Sequence, residues 1–346
     1  MCKTNVLSVP SARAPFEKTV MERRELRPND ILIEIKYCGI CHSDIHNAFD
    51  EWGHGMFPMV PGHEMAGVVS AVGSEVMKFA VGDRVGVGCF VDSCGQCEYC
   101  LSGEEQYCTK GVINSYNSLD YDGNQTYGGY SQKIVVKEDF VVRIPDALDL
   151  DVASPLLCAG ITTYSPLKHW NIGPGKKVAI VGMGGLGHLA VQYAHALGAE
   201  VTVLSQSLNK KEEALSFEAD HYFATSDSAT FTALANRFDL ILNTVSANLN
   251  VDAYLSMLRL DGTLVNVGAP SEPDQYHVFS LIMQRRSIAG SLVGGIRETQ
   301  EMLDFSAQHG IAPKIEVIHA DQVDEAFERI IRSDVRYRFV IDISTL

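Results

Sequence analysis

At positions 177–187 the chain reads Lys-Val-Ala-Ile-Val-Gly-Met-Gly-Gly-Leu-Gly, and this run determines the fold class of its second half. The apolar start predicts a buried strand, and the alanine-rich segment that ends at Leu197-Gly198 predicts a helix. Glycines between a strand and a helix form a tight turn whose backbone N–H groups reach a pyrophosphate. The run therefore predicts a dinucleotide-binding loop, with these cofactor contacts: Gly182, Gly184, Gly185, Leu186 and Gly187.

The pattern on both sides of this loop extends the prediction to whole domains. After about residue 152, buried strands alternate with helical stretches, as parallel β-α-β units require. Residues 1 to about 150 instead show short β-branched runs between glycines and prolines, which is typical of an irregular β domain. Beyond 291 the pattern is mixed, with a helix at 299–309 and a strand at 337–343. The predicted strands of the parallel sheet are 177–181, 201–204, 222–224, 240–245, 262–267 and 287–289.

Length and composition limit the possible functions. The chain has 346 residues, enough for two domains, and 46% of them are hydrophobic, which excludes intrinsic disorder. The formal net charge of -15 has the wrong sign for nucleic-acid binding. No run is apolar enough for a membrane span, and the N-terminus lacks the core of a signal peptide. We therefore expect a cytoplasmic protein with neither a nucleic-acid nor a membrane partner.

The strand after the glycine loop indicates which dinucleotide binds. An acidic residue about 20 positions downstream normally holds the 2'-hydroxyl of NAD. Here that strand ends in Ser205-Gln206-Ser207, followed by Lys210 and Lys211, and no carboxylate occupies the expected place. Hydroxyls and ammonium groups suit a 2'-phosphate, so we predict NADP(H). The alternative is that both lysines only form a solvated helix start.

Four of the nine cysteines form a dense cluster. The four thiols lie within 15 residues, separated by two, two and seven residues, which suits one tetrahedral zinc ion. Four thiolate ligands leave the ion no open position, as in a structural zinc site. An iron-sulfur cluster and unmetallated thiols are the alternatives. The cysteines concerned are Cys94, Cys97, Cys100 and Cys108.

A second set of possible ligands is spread along the chain. Cys41, His63 and Cys158 are suitable residue types for a catalytic zinc that keeps one position open. Spacing alone leaves the alternative of buried structural residues open. These residues, however, lie within motifs that recur in one family.

The chain resembles the zinc-dependent medium-chain dehydrogenase/reductase family, most closely its branch of cinnamyl-alcohol-dehydrogenase-like, NADP-dependent alcohol dehydrogenases and aldehyde reductases. The resemblance implies a Rossmann domain, a doubly wound parallel sheet, at 154–290, inserted into a GroES-like, mainly-β catalytic domain formed by 1–153 and 291–346. The resembling motifs lie in family order at 37–44, 61–64, 94–108, 157–162, 182–187 and 336–342.

The resemblance implies Cys41, His63 and Cys158 as catalytic zinc ligands. Glu64 would lie beside the metal and exchange with its open position, although a structural ion pair is an alternative for it. Asp44 would orient the ring of His63; the alternative is a turn-capping carboxylate. Together with the four-cysteine cluster, this implies two Zn2+ ions per chain.

The resemblance also implies a proton path and further contacts. Ser43 would hydrogen-bond the substrate oxygen and His46 would carry the proton to the surface, with an ordinary exposed histidine as the alternative for His46. Arg338 has a structural ion pair as its alternative, and Trp52 a place in the core. The additional cofactor contacts are His42, Thr162, Val267, Gly268, Ser291, Leu292 and Arg338, and the substrate pocket is lined by Trp52, Cys89 and Leu292.

The expected activity is therefore hydride transfer between NADP(H) and a primary alcohol or aldehyde, aromatic or of medium chain length. The alternatives are a polyol dehydrogenase of the same superfamily and a zinc-ribbon binding protein without activity. The family commonly forms homodimers, and residues 287–295 would supply the edge strand. One departure from the branch pattern is Phe217-Glu218-Ala219-Asp220, which lacks the usual glycine after a helix.

Overall fold

The computed structural model describes residues 2–270 and 272–346, which form two compact units. One unit consists of the described residues 2–161 and 294–346, and the other of 162–270 and 272–293. The second unit is therefore inserted into the first along the chain. The junctions between the two units fall at 161/162 and 293/294, eight and three residues after the positions expected from the sequence, 153/154 and 290/291.

The first unit is built around a long central strand. Ile31, Ile33 and Ile35 alternate with less buried residues and point into the core, as a half-buried strand requires. A π-helical turn, Leu156–Gly160, ends this part of the chain. Its strands are β1 (Cys2–Ser8), β2 (Glu17–Arg23), β3 (Asp30–Gly39), β4 (Met65–Val72), β5 (Arg84–Val87), β6 (Phe90–Asp92), β7 (Ile113–Asn114), β8 (Lys133–Lys137) and β9 (Val142–Arg143), and its helices are α1 (His42–Ala48), α2 (Glu98–Ser102) and α3 (Leu150–Pro155).

The inserted unit contains the predicted parallel sheet. Its helices are α4 (Ile161–His169), α5 (Gly187–Ala196), α6 (Lys211–Ser216), α7 (Ala229–Ala233), α8 (Val251–Met257) and α9 (Phe279–Ile282), and its strands are β10 (Lys177–Val181), β11 (Glu200–Ser205), β12 (His221–Ala224), β13 (Phe238–Asn243), β14 (Leu258–Asn266) and β15 (Ser287–Gly290). Among the described residues the strand order is β12-β11-β10-β13-β14-β15, with every pairing parallel. The order reverses beside β10, which is where ligands bind in such sheets.

The six predicted strands of this sheet are confirmed, with small differences at their ends. The largest difference is at β14, which begins at Leu258 rather than at 262 because Leu258 pairs with Phe238 across an irregular register. The continuous apolar run in β10 is explained by burial on both faces, since Ala179 and Ile180 are fully buried.

The C-terminal segment returns to the first unit and contains α10 (Ile296–His309), β16 (Ile315–His319), α11 (Val323–Ile331) and β17 (Arg338–Asp342). Strand β17 pairs antiparallel with β3 and parallel with β16. Within the described residues this completes a seven-stranded sheet, in the order β16-β17-β3-β4-β5-β9 with β8 also on β3. The helices formed by residues 2–270 and 272–346 are too short or too polar to span a bilayer.

The missing glycine after α6 has a visible effect on the backbone. Glu218 follows the end of α6 with a φ of 69°, in the left-handed region that favours glycine. The chain therefore ends α6 with the left-handed turn that a glycine usually provides, although Glu218 is strained in that conformation.

Replacing Glu218 with glycine should raise the free energy of unfolding by about 0.5–1 kcal/mol, since relief of the left-handed strain exceeds glycine's extra entropy in the unfolded chain. Thermal denaturation should show a Tm higher by about 1–2 °C. Glu213→Gly, inside α6, is the control and should lower the Tm. A Tm for Glu218→Gly at or below that of the wild type would contradict the assignment.

Candidate metal and dinucleotide sites

Three distant segments bring the predicted catalytic ligands together in the first unit. Cys41 lies immediately before α1, His63 lies in the loop before β4, and Cys158 lies in the π-helical turn, a feature frequent at functional sites. Their ligand atoms and a carboxylate oxygen of Glu64 all lie within 4.8 Å of one another. The Sγ atoms of Cys41 and Cys158 are 3.9 Å apart. Tetrahedral Zn–S bonds place two sulfurs about 3.8 Å apart, so the donor set fits zinc.

Asp44 contacts both Cys41 and His63. It combines the two roles that the sequence left as alternatives, a capping carboxylate and a group that orients the ring of His63. It caps α1 by accepting the Cys41 N–H at 2.9 Å. Its Oδ1 lies 3.2 Å from Nδ1 of His63 and accepts the N–H of Gly62 at 3.2 Å. The contact with Nδ1 leaves Nε2 of His63 as the nitrogen available to a metal. Burial opposes protonation of His63, but the Asp44 carboxylate raises its pKa well above the usual range.

Glu64 and Arg338 form a buried ion pair. Burial raises the pKa of Glu64 to about 7, and the guanidinium of Arg338 acts in the opposite direction. In the part of the chain that the structure describes, Oε2 of Glu64 has no hydrogen-bond partner. A buried carboxylate oxygen without a donor, among sulfur and nitrogen ligands, is what a nearby cation would satisfy. Arg338 was predicted to lie near the pyrophosphate, with a structural ion pair as the alternative. The structure shows such an ion pair, with Glu64.

The two residues predicted to carry the proton, Ser43 and His46, both lie on α1. Oγ of Ser43 is 3.7 Å from Sγ of Cys41. Nδ1 of His46 is 2.6 Å from Oε2 of Glu51, and the indole of Trp52 stacks on the His46 ring with centroids 5.0 Å apart. Trp52 is 47% exposed, so the alternative of a core residue is wrong.

Glu51 is a residue that the sequence analysis missed. It lies beyond the end of α1, and the chain turns back there so that the N–H of Glu51 donates to the carbonyl of His46. The only signal in the sequence is a carboxylate five positions after a histidine.

His42, predicted to contact the cofactor, also lies on α1. Its ring lies beside that of His46, with centroids 4.8 Å apart.

The two other residues predicted to line the substrate pocket, Cys89 and Leu292, belong to different units. Cys89 is half-buried, and its thiol contacts that of Cys158. It therefore lies directly beside the ligand set. Leu292 belongs to the inserted unit and is half-exposed.

The four-cysteine cluster forms a second, separate donor set. Sγ of Cys100 lies 3.9 Å from Sγ of Cys94 and 3.5 Å from Sγ of Cys97. These separations again match the spacing of about 3.8 Å that tetrahedral zinc imposes on sulfur. Backbone N–H donors of Cys100 and Thr109 lower the pKa of the Cys97 thiol to about 5. The thiolate form of Cys97 is therefore stabilised before any metal binds, whereas burial raises the pKa of the Cys100 thiol to about 11.

The glycine loop of the inserted unit has the backbone geometry that its motif requires. Gly182 has a φ of 94°, as a tight turn demands, and a Cβ on Gly187 would lie 2.0 Å from the carbonyl oxygen of Gly182. A Cβ on Gly184 would meet no described atom within 4 Å, so this position faces open space. These are the three glycine functions of a pyrophosphate loop: the turn, the close helix packing and the approach of the ligand.

The residues predicted around the cofactor follow this loop and the neighbouring strands. Nζ of Lys210 donates to the carbonyl of Met183 at 2.7 Å, which holds its ammonium group against the glycine loop. Ser205 ends β11, and Gln206 and Ser207 follow it in the exposed turn. Four further residues of the inserted unit were predicted to contact the cofactor. Val267 and Gly268 follow β14, Ser291 follows β15, and the buried Thr162 lies on α4.

Comparisons with known proteins agree with both halves of this description. Residues 27–146 match the alcohol dehydrogenase GroES-like domain, and residues 185–308 match the zinc-binding dehydrogenase family. The chain is 80% identical over 344 residues to the probable formaldehyde dehydrogenase AdhA of Bacillus subtilis, covering 99% of each chain. It is 59% identical to NADP-dependent alcohol dehydrogenase C 1 of Mycolicibacterium smegmatis, over 100% of this chain and 99% of that one.

A solved structure of a related protein has the same fold over nearly the whole chain. A cinnamyl alcohol dehydrogenase from Sorghum bicolor superposes with a TM-score of 0.96 at 44% identity, covering 99% of this chain and 98% of that one. The predicted fold class, a Rossmann sheet inserted into a GroES-like domain, is confirmed. The chain belongs to the zinc-dependent medium-chain alcohol dehydrogenase family, in its cinnamyl-alcohol-dehydrogenase-like branch.

Proposed function

We propose that this enzyme is an NADP(H)-dependent zinc alcohol dehydrogenase that works as an aldehyde reductase. The observation that carries the proposal is the convergence of Cys41, His63 and Cys158, with a carboxylate oxygen of Glu64 in the same group. The two thiolates and the imidazole leave a tetrahedral ion one position, and we assign that position to substrate in exchange with Glu64. When bound, zinc polarises the substrate oxygen as a Lewis acid and NADPH supplies the hydride. We assign the second ion, which is structural, to the four-cysteine cluster.

The chain's own residues supply orientation and the proton. Asp44 fixes the tautomer and ring angle of His63, so that the imidazole presents the correct nitrogen. Ser43 lies at the thiolate ligand, where its hydroxyl donates a proton to the developing alkoxide. His46 replaces that proton from the surface, and Glu51 holds Nδ1 of His46 so that the other ring nitrogen exchanges it.

The cofactor preference follows from charge at the end of β11. We assign the 2'-phosphate to Ser205, Gln206, Ser207 and Lys210, because the hydroxyls and the ammonium group offer donors where an NAD site needs a carboxylate. The contact between Lys210 and Met183 supports this assignment, since it holds the ammonium group at the loop that faces the phosphates. Val267, Gly268, Ser291, Leu292, Thr162 and His42 are assigned to the rest of the cofactor.

Lys210→Ala should lower kcat/KM for NADPH by about 10- to 100-fold, because it removes a charge-assisted contact with the 2'-phosphate. The value for NADH should change by less than about 3-fold, since that cofactor lacks the phosphate. Lys211→Ala is the matched control: it removes the same charge from the next residue, which is exposed, and should leave both values near wild type. An equal loss with both cofactors, or the same loss in Lys211→Ala, would contradict the assignment.

We further propose that the substrates are aromatic or medium-chain aldehydes. The half-exposed indole of Trp52 offers a flat apolar wall next to His46, and Cys89 lies beside the ligand set. The name of the 80% identical relative makes formaldehyde a second candidate. A panel of benzaldehyde, cinnamaldehyde and formaldehyde with NADPH, and of cinnamyl alcohol and a polyol with NADP+, separates them. In each direction kcat/KM should be largest for the aromatic compounds, and a preference for formaldehyde or for the polyol would overturn this substrate class.

The exposed edge of the inserted sheet supports a homodimer. Strand β15 is the last strand in the described sheet. The segment just before it in the chain, α9 with its two capping residues, exposes Val278, Phe279, Ile282 and Met283, with Phe279 71% and Met283 72% exposed. An unpaired strand edge flanked by apolar side chains favours pairing with a second copy. Sedimentation equilibrium should give twice the chain mass, and Phe279→Glu should shift it towards the monomer; a wild-type monomer would refute the dimer.

We place the enzyme in the cytoplasm. Its nine cysteines are all free, as expected in a reducing compartment. Recovery of the protein in the cytosolic fraction of its cells supports this location, and recovery from an oxidising compartment contradicts it.

A further inference from the structure

A buried cation lies away from the ligands of the first unit. Arg23, the last residue of β2, is only 7% exposed. Among the described residues its hydrogen-bond partners include no carboxylate, and burial lowers its pKa to about 10. A desolvated cation without a carboxylate partner is costly to bury, and here hydrogen bonds to neutral oxygens take the place of an ion pair. It donates to the carbonyls of Lys133 (2.9 Å), Tyr127 (2.6 Å) and Gly128 (2.8 Å) and to Oγ of Ser131 (2.7 Å).

The segment that Arg23 holds, residues 127–131, lies directly on the loop that leads to His63. A Cβ on Gly128 would come within 2.3 Å of the carbonyl oxygen of Gly62, so the two backbones approach as closely as glycine permits. A shift of one segment is therefore transmitted to the other. The backbone bonds that join them run from Gly128 N to Val60 O (2.7 Å), Gly129 N to Gly62 O (2.9 Å) and Tyr130 N to Pro61 O (2.9 Å).

The same segment also reaches the carboxylate that orients His63. The side chain of Tyr130 is fully buried and packs on Phe16, with ring centroids 5.8 Å apart. Its hydroxyl donates to Oδ2 of Asp44 at 3.4 Å, while Oδ1 of Asp44 faces Nδ1 of His63. The segment thus contacts the ligand's loop through its backbone and the ligand's orienting group through Tyr130.

We propose that Arg23 is a positioning residue for the zinc ligand His63, acting through residues 127–131 on the 60–63 loop and, through Tyr130, on Asp44. The inference rests on the proposed function, since it takes His63 as a ligand of the catalytic zinc. It assigns Arg23 no contact with substrate or cofactor. Its role is to keep the imidazole at the position and angle that bind the metal.

The experiment is the rate of zinc release to a chelator from the folded enzyme. Arg23→Lys keeps the charge but not the planar fork that reaches four acceptors. The catalytic zinc should leave about 10-fold faster, while the zinc of the four-cysteine cluster leaves at the wild-type rate. A merely global loss of stability would accelerate both.

The control is Arg286→Lys, because Arg286 in the inserted unit also donates to oxygens that belong to no carboxylate among the described residues. Both of its zinc ions should leave at the wild-type rates. A catalytic-zinc release rate in Arg23→Lys equal to wild type would overturn the proposal, as would equal acceleration in Arg286→Lys.

Tyr130→Phe provides a second arm that removes only the hydroxyl at Asp44, and it decides the question if Arg23→Lys does not fold. Release of the catalytic zinc should accelerate by about 3-fold, and the visible bands of the enzyme with cobalt in that site should shift. Unchanged release and unchanged bands would overturn the proposal. A wild-type enzyme that holds only one zinc per chain would instead refute the proposed function itself.

Discussion

Replacing Cys158 with serine removes one of the two zinc ions and lowers kcat/KM for aldehyde reduction by about 1,000-fold or more. Serine's hydroxyl does not ionise as the thiol does, so the site loses an anionic ligand. Without the metal, the substrate oxygen loses a polarisation worth several kcal/mol in the transition state. Metal analysis of the purified variant, together with steady-state kinetics, measures both effects.

Cys38→Ser is the matched control for this variant. Cys38, like Cys158, is a buried cysteine of the first unit, but it lies outside the ligand set. This variant should retain two zinc ions and activity within about 3-fold of wild type. If Cys158→Ser keeps both ions and full turnover, the assignment of the catalytic site is wrong.

Ser43→Ala should lower kcat by about 100- to 1,000-fold while zinc content stays at two per chain. The hydroxyl of Ser43 lies 3.7 Å from the thiol of the ligand Cys41, where it can give a proton to the product oxygen, and loss of such a transfer typically costs this much. The effect separates proton transfer from metal binding, since neither zinc site loses a ligand. Kinetics with NADPH and an aromatic aldehyde, run beside metal analysis, provide the measurement.

Ser43→Thr tests whether the hydroxyl itself matters. Threonine keeps the donor, so this variant should recover most of the activity lost in Ser43→Ala. Unchanged turnover in Ser43→Ala, or equal losses in both variants, would refute a proton path through this residue.

The local parts of the fold were predictable because their signals lie within short stretches. The run at 177–187 contains strand, turn and helix start together, and the glycine geometry at Gly182 and Gly187 agrees with it. The start of β14 was not predictable, because an irregular pairing with Phe238 rather than the local pattern extends the strand to Leu258.

The site was predictable in its residue types but not in all of its contacts. Motifs brought Cys41, His63 and Cys158 together, and the structure places them within ligand distance. The pairing of Glu64 with Arg338 joins residues far apart in sequence, and Glu51 reaches His46 through a turn beyond α1. No periodicity encodes such contacts, because they depend on how β17 pairs with β3 and how the chain leaves a helix.

The most direct test of the account is reduction of cinnamaldehyde with NADPH by enzyme of known zinc content. We expect two zinc ions per chain and aldehyde-dependent oxidation of NADPH, with kcat/KM at least about 10-fold above the value with NADH. Only one zinc per chain, or no turnover by enzyme that carries both ions, would contradict the central claim.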